Sequence, residues 1–246
     1  MRALIRTTPW LLCAAAVAVS VQAQIAAPEY NNGRTIPGQM VVDQSASLVQ
    51  SMKQDASVAG LMDHAKAVLI VPGYGANPSQ LASGAKQQSV EGQTTPTANA
   101  MTRHGSPGVF LVHSVRSWSS PAFFSVSNIN MGDMSNHPTD KGVPLVMMFM
   151  NSHAADRLKN VSNASLSGLS VAPYSSHATN ADVVVWSPHP MAHGANLTTA
   201  QLHYDSTASS SFYMNQASES DILSDNVTSP RASQLQNALS TKVASK

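Results

Sequence analysis

The chain has 246 residues, with 14 lysines and arginines against 13 acids, a charged fraction of only 11% and a single cysteine. The basic residues are scattered without a run, which excludes the counterion-replacing surface that nucleic-acid binding requires. One cysteine excludes an intrachain disulfide framework and a cysteine-based metal site.

The first residues have the layout of an export signal: Arg2 and Arg6 form a charged head, Trp10 to Val19 an apolar stretch, and Val21-Gln22-Ala23 a small-residue cleavage site. Cleavage is expected near Ala23, giving a periplasmic or secreted protein. The apolar stretch is shorter than the roughly 20 residues of a spanning helix, so no transmembrane helix is expected in the mature chain. Cys13 lies within the signal, and Leu11-Leu12 lacks the small residue that a lipoprotein site places beside its cysteine. Loss of Arg2 and Arg6 leaves 12 basic residues against 13 acidic ones, a net charge of −1. Residues 24–44 are read as a flexible leader because proline and glycine punctuate a polar stretch. Residues 45–246 then suit one domain of roughly 200 residues.

From Ser45 to His64, Leu48, Val49, Met52, Ala56, Ala59 and Met62 recur at helical spacing, with Asp43 or Ser45 placed to cap the start. The pattern predicts one amphipathic helix, packed on a sheet or lying on a membrane surface. Beyond it, Ala67–Val71, Val109–Val115, Ala122–Ser127, Val143–Met150, Ser167–Val171, Val183–Ser187 and Asn196–His203 read as short strands. A long polar stretch, Ala76 to Arg103, separates the first two. Ser152 to Asn160 reads as a short helix, and Glu219 to Ala244 as two helices broken at Pro230. The predicted fold class is α+β, a strongly curved or barrel-like antiparallel sheet flanked by N-terminal and C-terminal helices.

Pro121 lacks a ladder donor and belongs at the first residue of a strand or on an edge. Trp118, Phe123 and Phe124 would bury large apolar areas where the strands meet the core. Arg116 can stack on a tryptophan face or hold a phosphate bidentately. The sequence around these residues, Val115-Arg-Ser-Trp-Ser-Ser-Pro-Ala-Phe-Phe-Ser-Val126, resembles the Arg-x-x-Trp-Ser-x-Pro-Ala-Phe signature of the SYLF domain family. Ala65 to Pro72, Asp182 to Ser187 and Asp221 to Leu223 are similar to further family landmarks, in order along the chain. The resemblance covers roughly residues 45–240 and implies phospholipid binding without catalytic residues or a cofactor. Some eukaryotic members of the family also bind actin, a property not carried over to a chain with an expected export signal. This sequence departs from the family where closely spaced glycines are usual; only Gly73, Gly75 and Gly84 come near that pattern.

Two other chemistries invite inspection. His189 and His193, with His203 further on, lack the glutamate of the metalloprotease motif. Ser83-Gly84-Ala85-Lys86 and Ser224-Asp225-Asn226 mimic two of the three motifs of penicillin-recognising serine enzymes, and the third is absent. The expectation is therefore a noncatalytic phospholipid-binding protein of the bacterial cell envelope, without cofactor or metal. Its head-group candidates are Arg116, Lys66 and Lys141, and its apolar lipid-contact candidates Trp118, Phe123, Phe124, Phe212 and Tyr213. The alternative is an envelope structural or protein-interaction module with a protein partner and no lipid. A serine- or metal-dependent hydrolase is the third and weakest reading.

Overall fold

The computed structural model describes residues 37–75, 105–115, 117–130, 142–159, 162–175, 180–188 and 196–240. The expected export signal, the expected leader up to Ile36, the Ala76–Arg103 stretch, Arg116, Lys141, His189 and His193 lie outside the described residues.

Helix α1 runs from Pro37 to Met52, eight residues earlier than its predicted start. Proline is tolerated as a first helical residue because the amide it lacks would have no intrahelical partner. Val41, Val42, Ser45, Ala46, Val49 and Met52 form its buried stripe, so residues 37–44 belong to the folded unit and not to a leader. A Cβ added to Gly38 would stand 3.2 Å from the ring of Phe123 and 3.4 Å from Phe212 Cβ. Glycine there lets the helix approach closely.

The predicted single helix is two. Asp55 accepts from the backbone amides of Ser57 and Val58 and caps α2, Ala56–His64. That side-chain bond satisfies orphan amides and starts a new helix, while the apolar spacing runs on across the break.

Among the described residues eight strands follow: β1 (Ala67–Tyr74), β2 (Ser106–Val112), β3 (Ala122–Ser127), β4 (Val143–Phe149), β5 (Asn163–Ser165), β6 (Val171–Pro173), β7 (Val183–Trp186) and β8 (Gln201–Tyr204). They form one strongly curled half-barrel sheet in the order β5-β8-β3-β2-β1-β4-β7-β6. The sheet is mixed, since β6 runs parallel to β7 and every other neighbouring pair is antiparallel. Instead of one strand at Ser167–Val171 there are two, β5 and β6, with Gly168 between them at φ 79°. Helix α3 (Ser152–Asp156) follows β4. The chain closes with α4 (Ser206–Tyr213), α5 (Glu219–Leu223), a 3₁₀ turn at Pro230–Ala232 and α6 (Ser233–Ser240). These helices bear out the α+β class with terminal helices.

Both faces of the central strands are buried, which explains why β1 and β4 read as continuous apolar runs rather than alternating ones. On one face Val68, Ile70, Val109, Leu111, Phe123, Val146 and Met148 pack with α1, α2, α4 and α6. On the other, Leu69, Phe110, Phe124, Leu145, Met147 and Phe149 pack with α3, α5 and the residues around Leu166 and Leu197. Phe110 meets Phe124 and Phe149 edge-on, at ring-centroid distances of 5.8 and 5.7 Å. The period of two sends successive residues to opposite sides of the sheet.

Candidate functional site

The residues between β2 and β3 leave the sheet and return to it. Ser114 and Ser117 close the excursion: the Ser114 amide and hydroxyl both donate to Ser117 O, at 2.9 and 2.8 Å. Beneath this turn, His113 bridges to Trp118, and their rings stack at 4.3 Å and 5°. Ser119 completes the stem, its amide donating to Val112 O at 2.8 Å and its hydroxyl accepting from the Val112 amide at 2.9 Å. These bonds form a small hairpin standing on a buried base. Trp118 is 3% exposed, whereas Val115 at the tip is 102% exposed.

The following residues, Trp118 to Pro121, are held by side chains from the C-terminal third of the chain. Gln236 Nε2 donates to Trp118 O at 3.1 Å, the Ser120 amide donates to Asp225 Oδ1 at 3.0 Å, and Tyr213 Oη donates to Pro121 O at 2.8 Å. Burial pushes the Tyr213 hydroxyl far above its ordinary range, so it stays protonated and remains a donor. Asp225, read in the sequence as part of a serine-enzyme mimic, serves here as a backbone anchor.

Lys66 lies at the same end of the sheet. Its amide donates to Phe149 O at 2.7 Å and its carbonyl accepts from the His113 amide at 2.8 Å, while its side chain is exposed. His64, also exposed, ends α2 beside it. Two acids of this part of the molecule have polar neighbours. Asp63 lies 3.9 Å from Lys53, and Asp182 accepts from Asn151 Nδ2 at 2.6 Å and from the Ser170 amide at 2.8 Å. Those bonds hold the Asp182 carboxyl below its usual range. Arg116 is the chain neighbour of Val115, so a cation follows the exposed apolar residue in sequence.

The five predicted apolar contacts do not share one wall. Trp118, Phe123 and Phe212 are buried on the face packed by α1, α2, α4 and α6, Phe123 and Phe212 with ring centroids 5.1 Å apart. Phe124 is buried on the opposite face, edge-on to Tyr204 at 5.8 Å. Tyr213 is half-buried and spends its hydroxyl on Pro121. Each of these rings packs against the core, and one face of Trp118 stacks on His113. The sequence reading placed Val115 at the end of a strand, whereas β2 ends at Val112 and Val115 stands exposed beyond it.

No family model matches the chain, and no curated protein matches it. The resemblance to SYLF domains rests on the residues quoted above. Among the described residues there is no group of three or more metal-ligating side chains, and no helix is long and apolar enough to cross a membrane. His203 bonds Asn163 Oδ1 through Nδ1.

Proposed function

We propose that the protein is a noncatalytic phospholipid-binding protein of the bacterial cell envelope, exported through its N-terminal signal, and that it meets the membrane with the Ser114–Ser117 hairpin tip. The observation that carries this reading is Val115, fully exposed on a stem whose base is buried and hydrogen-bonded on both sides. A rigid stem loses little conformational entropy when its tip is immersed. Lys66 at the same end, and Arg116 beside Val115 in sequence, supply cations for phosphate. The mature chain's net charge of −1 leaves little long-range attraction, so apolar insertion contributes more than surface charge.

A protein partner could instead pair with a sheet edge. The two edge strands, β5 and β6, have only three residues each, and short edges resist strand addition. The tip is the better-presented surface.

Flotation of the chain from Gln24 onward with neutral and anionic phospholipid vesicles, at low and high salt, tests the proposal. Binding that persists at high salt is the expected result. Binding lost in salt would move the contact to the cations alone, and no binding under any condition would overturn the lipid reading in favour of a protein partner.

A further inference from the structure

Between β2 and β3, the segment Trp118–Pro121 is held by partners distant in sequence. Gln236 stands 118 residues from Trp118, Asp225 stands 105 from Ser120, and Tyr213 stands 92 from Pro121. The three side chains come from three separate pieces of the C-terminal region: the middle of α6, the turn after α5 and the end of α4. That turn itself is fixed: Asp225 takes the left-handed conformation at φ 59°, with its amide bonded to Ile222 O at 3.2 Å.

The C-terminal pieces are in turn tied to α1 and to Lys53, the residue that follows it. Lys53 Nζ donates to Leu239 O at 2.5 Å, and Gln39 Nε2 donates to Arg231 O at 3.3 Å. A continuous line of contacts therefore runs from the first helix through α6 to the base of the hairpin.

We propose that Gln236, Asp225 and Tyr213 are positioning residues forming a latch that sets the pose of the hairpin tip. The inference rests on the membrane reading for its purpose, while the latch itself is measurable without lipid. Each link is one side-chain hydrogen bond to one backbone group, so the links can be removed singly. The stem bonds on the β2 side, from His113 and Ser119, remain when they are.

Amide hydrogen exchange, read residue by residue on the chain from Gln24 onward without vesicles, tests the latch directly. In Tyr213→Phe/Gln236→Met, the amides of Ser114, Ser117, Ser119 and Ser120 are expected to exchange about tenfold faster or more, since two links are lost, while β1 and β4 amides keep their rates. Gln236→Met alone shifts the same amides in the same direction, which keeps the test available if the double variant folds poorly. Asp225→Ala accelerates Ser120, and Asp225→Asn, which keeps the acceptor oxygen and tolerates the left-handed backbone, restores it. Unchanged tip amides in the variants, or equal acceleration throughout the sheet, would overturn the latch. Vesicles of mixed phosphatidylglycerol and phosphatidylethanolamine then separate the two claims. Weaker flotation of the double variant than of the wild type supports the latch acting on the contact. Equal flotation of both, with faster tip exchange in the variant, overturns its positioning role. If the wild type does not float while the variant's tip exchanges faster, the latch stands and the membrane reading fails.

Discussion

Replacing Val115 separates the proposed membrane contact from folding. The side chain is 102% exposed and contributes nothing to the core, so Val115→Ser is expected to alter stability by no more than about 0.5 kcal/mol. Full burial of a valine side chain is worth roughly 1.5–3 kcal/mol. At about 1.4 kcal/mol per tenfold change, immersion of the tip makes Val115 worth roughly 10- to 150-fold in vesicle partitioning. Val115→Ser should lose most of that. Val115→Leu adds one methylene, worth about 0.8 kcal/mol, and should bind about fourfold more tightly. Vesicle titration followed by sedimentation, at low and high salt, reads both variants, with urea unfolding run in parallel. The Val115 effect should be insensitive to salt, whereas the loss in Lys66→Ala or Arg116→Ala should shrink as salt screens it. Equal partitioning of the serine, valine and leucine forms would refute the reasoning. A loss of binding accompanied by a lowered unfolding midpoint would place the effect in the fold.

The two faces of the sheet make a second prediction: Phe123→Leu and Phe212→Leu, in ring contact, should couple by about 0.5 kcal/mol or more in a double-mutant cycle. Phe124→Leu, on the other face, should combine additively with Phe212→Leu within about 0.5 kcal/mol by urea unfolding. Gly108→Ala would place a Cβ 2.8 Å from Ile70 O, and the forced shift between β1 and β2 should cost about 1–3 kcal/mol, measurable by the same titration. Lys53 is 6% exposed, and burial lowers its pKa from 10.5 despite Asp63 nearby. The unfolded chain therefore holds this proton to higher pH than the folded one, and stability rises with pH between the lowered folded value and 10.5. Wild type should gain relative to Lys53→Met as pH rises through that window; comparing the two cancels the tyrosines, whose raised values act in the opposite sense. A gap that moves the other way would contradict the burial of the ammonium.

Much of the sheet was legible because strands declare themselves locally. Runs such as Val68–Val71 and Leu145–Phe149 are too apolar and β-branched or bulky for solvent, and Pro121 stands immediately before β3 because it has no amide for the ladder. Residues 37–44 read as leader because Pro37 and Gly38 resemble loop punctuation. The proline begins the helix and the glycine admits the ring of Phe123 and the Cβ of Phe212. The break before α2 was hidden for a related reason: apolar periodicity reports the buried face, while Asp55 acts on backbone amides.

The candidate site was only half legible. The signature stretch stood out by its resemblance to a family motif, and its aromatic rings suggested a single apolar surface. Alternation alone puts Phe123 and Phe124 on opposite faces, yet only the packing of α1 and α4 on one side and of α3 and α5 on the other shows that both faces are closed. The sequence by itself determined the strand-rich α+β character, the scatter of its basic residues and the alternation of side chains, because each depends on residues within a few positions of one another. The tertiary structure decided that the rings are core, that Val115 projects, and that Gln236, Asp225 and Tyr213 hold the hairpin's base. Those outcomes depend on bringing together groups about a hundred residues apart, which no local pattern encodes.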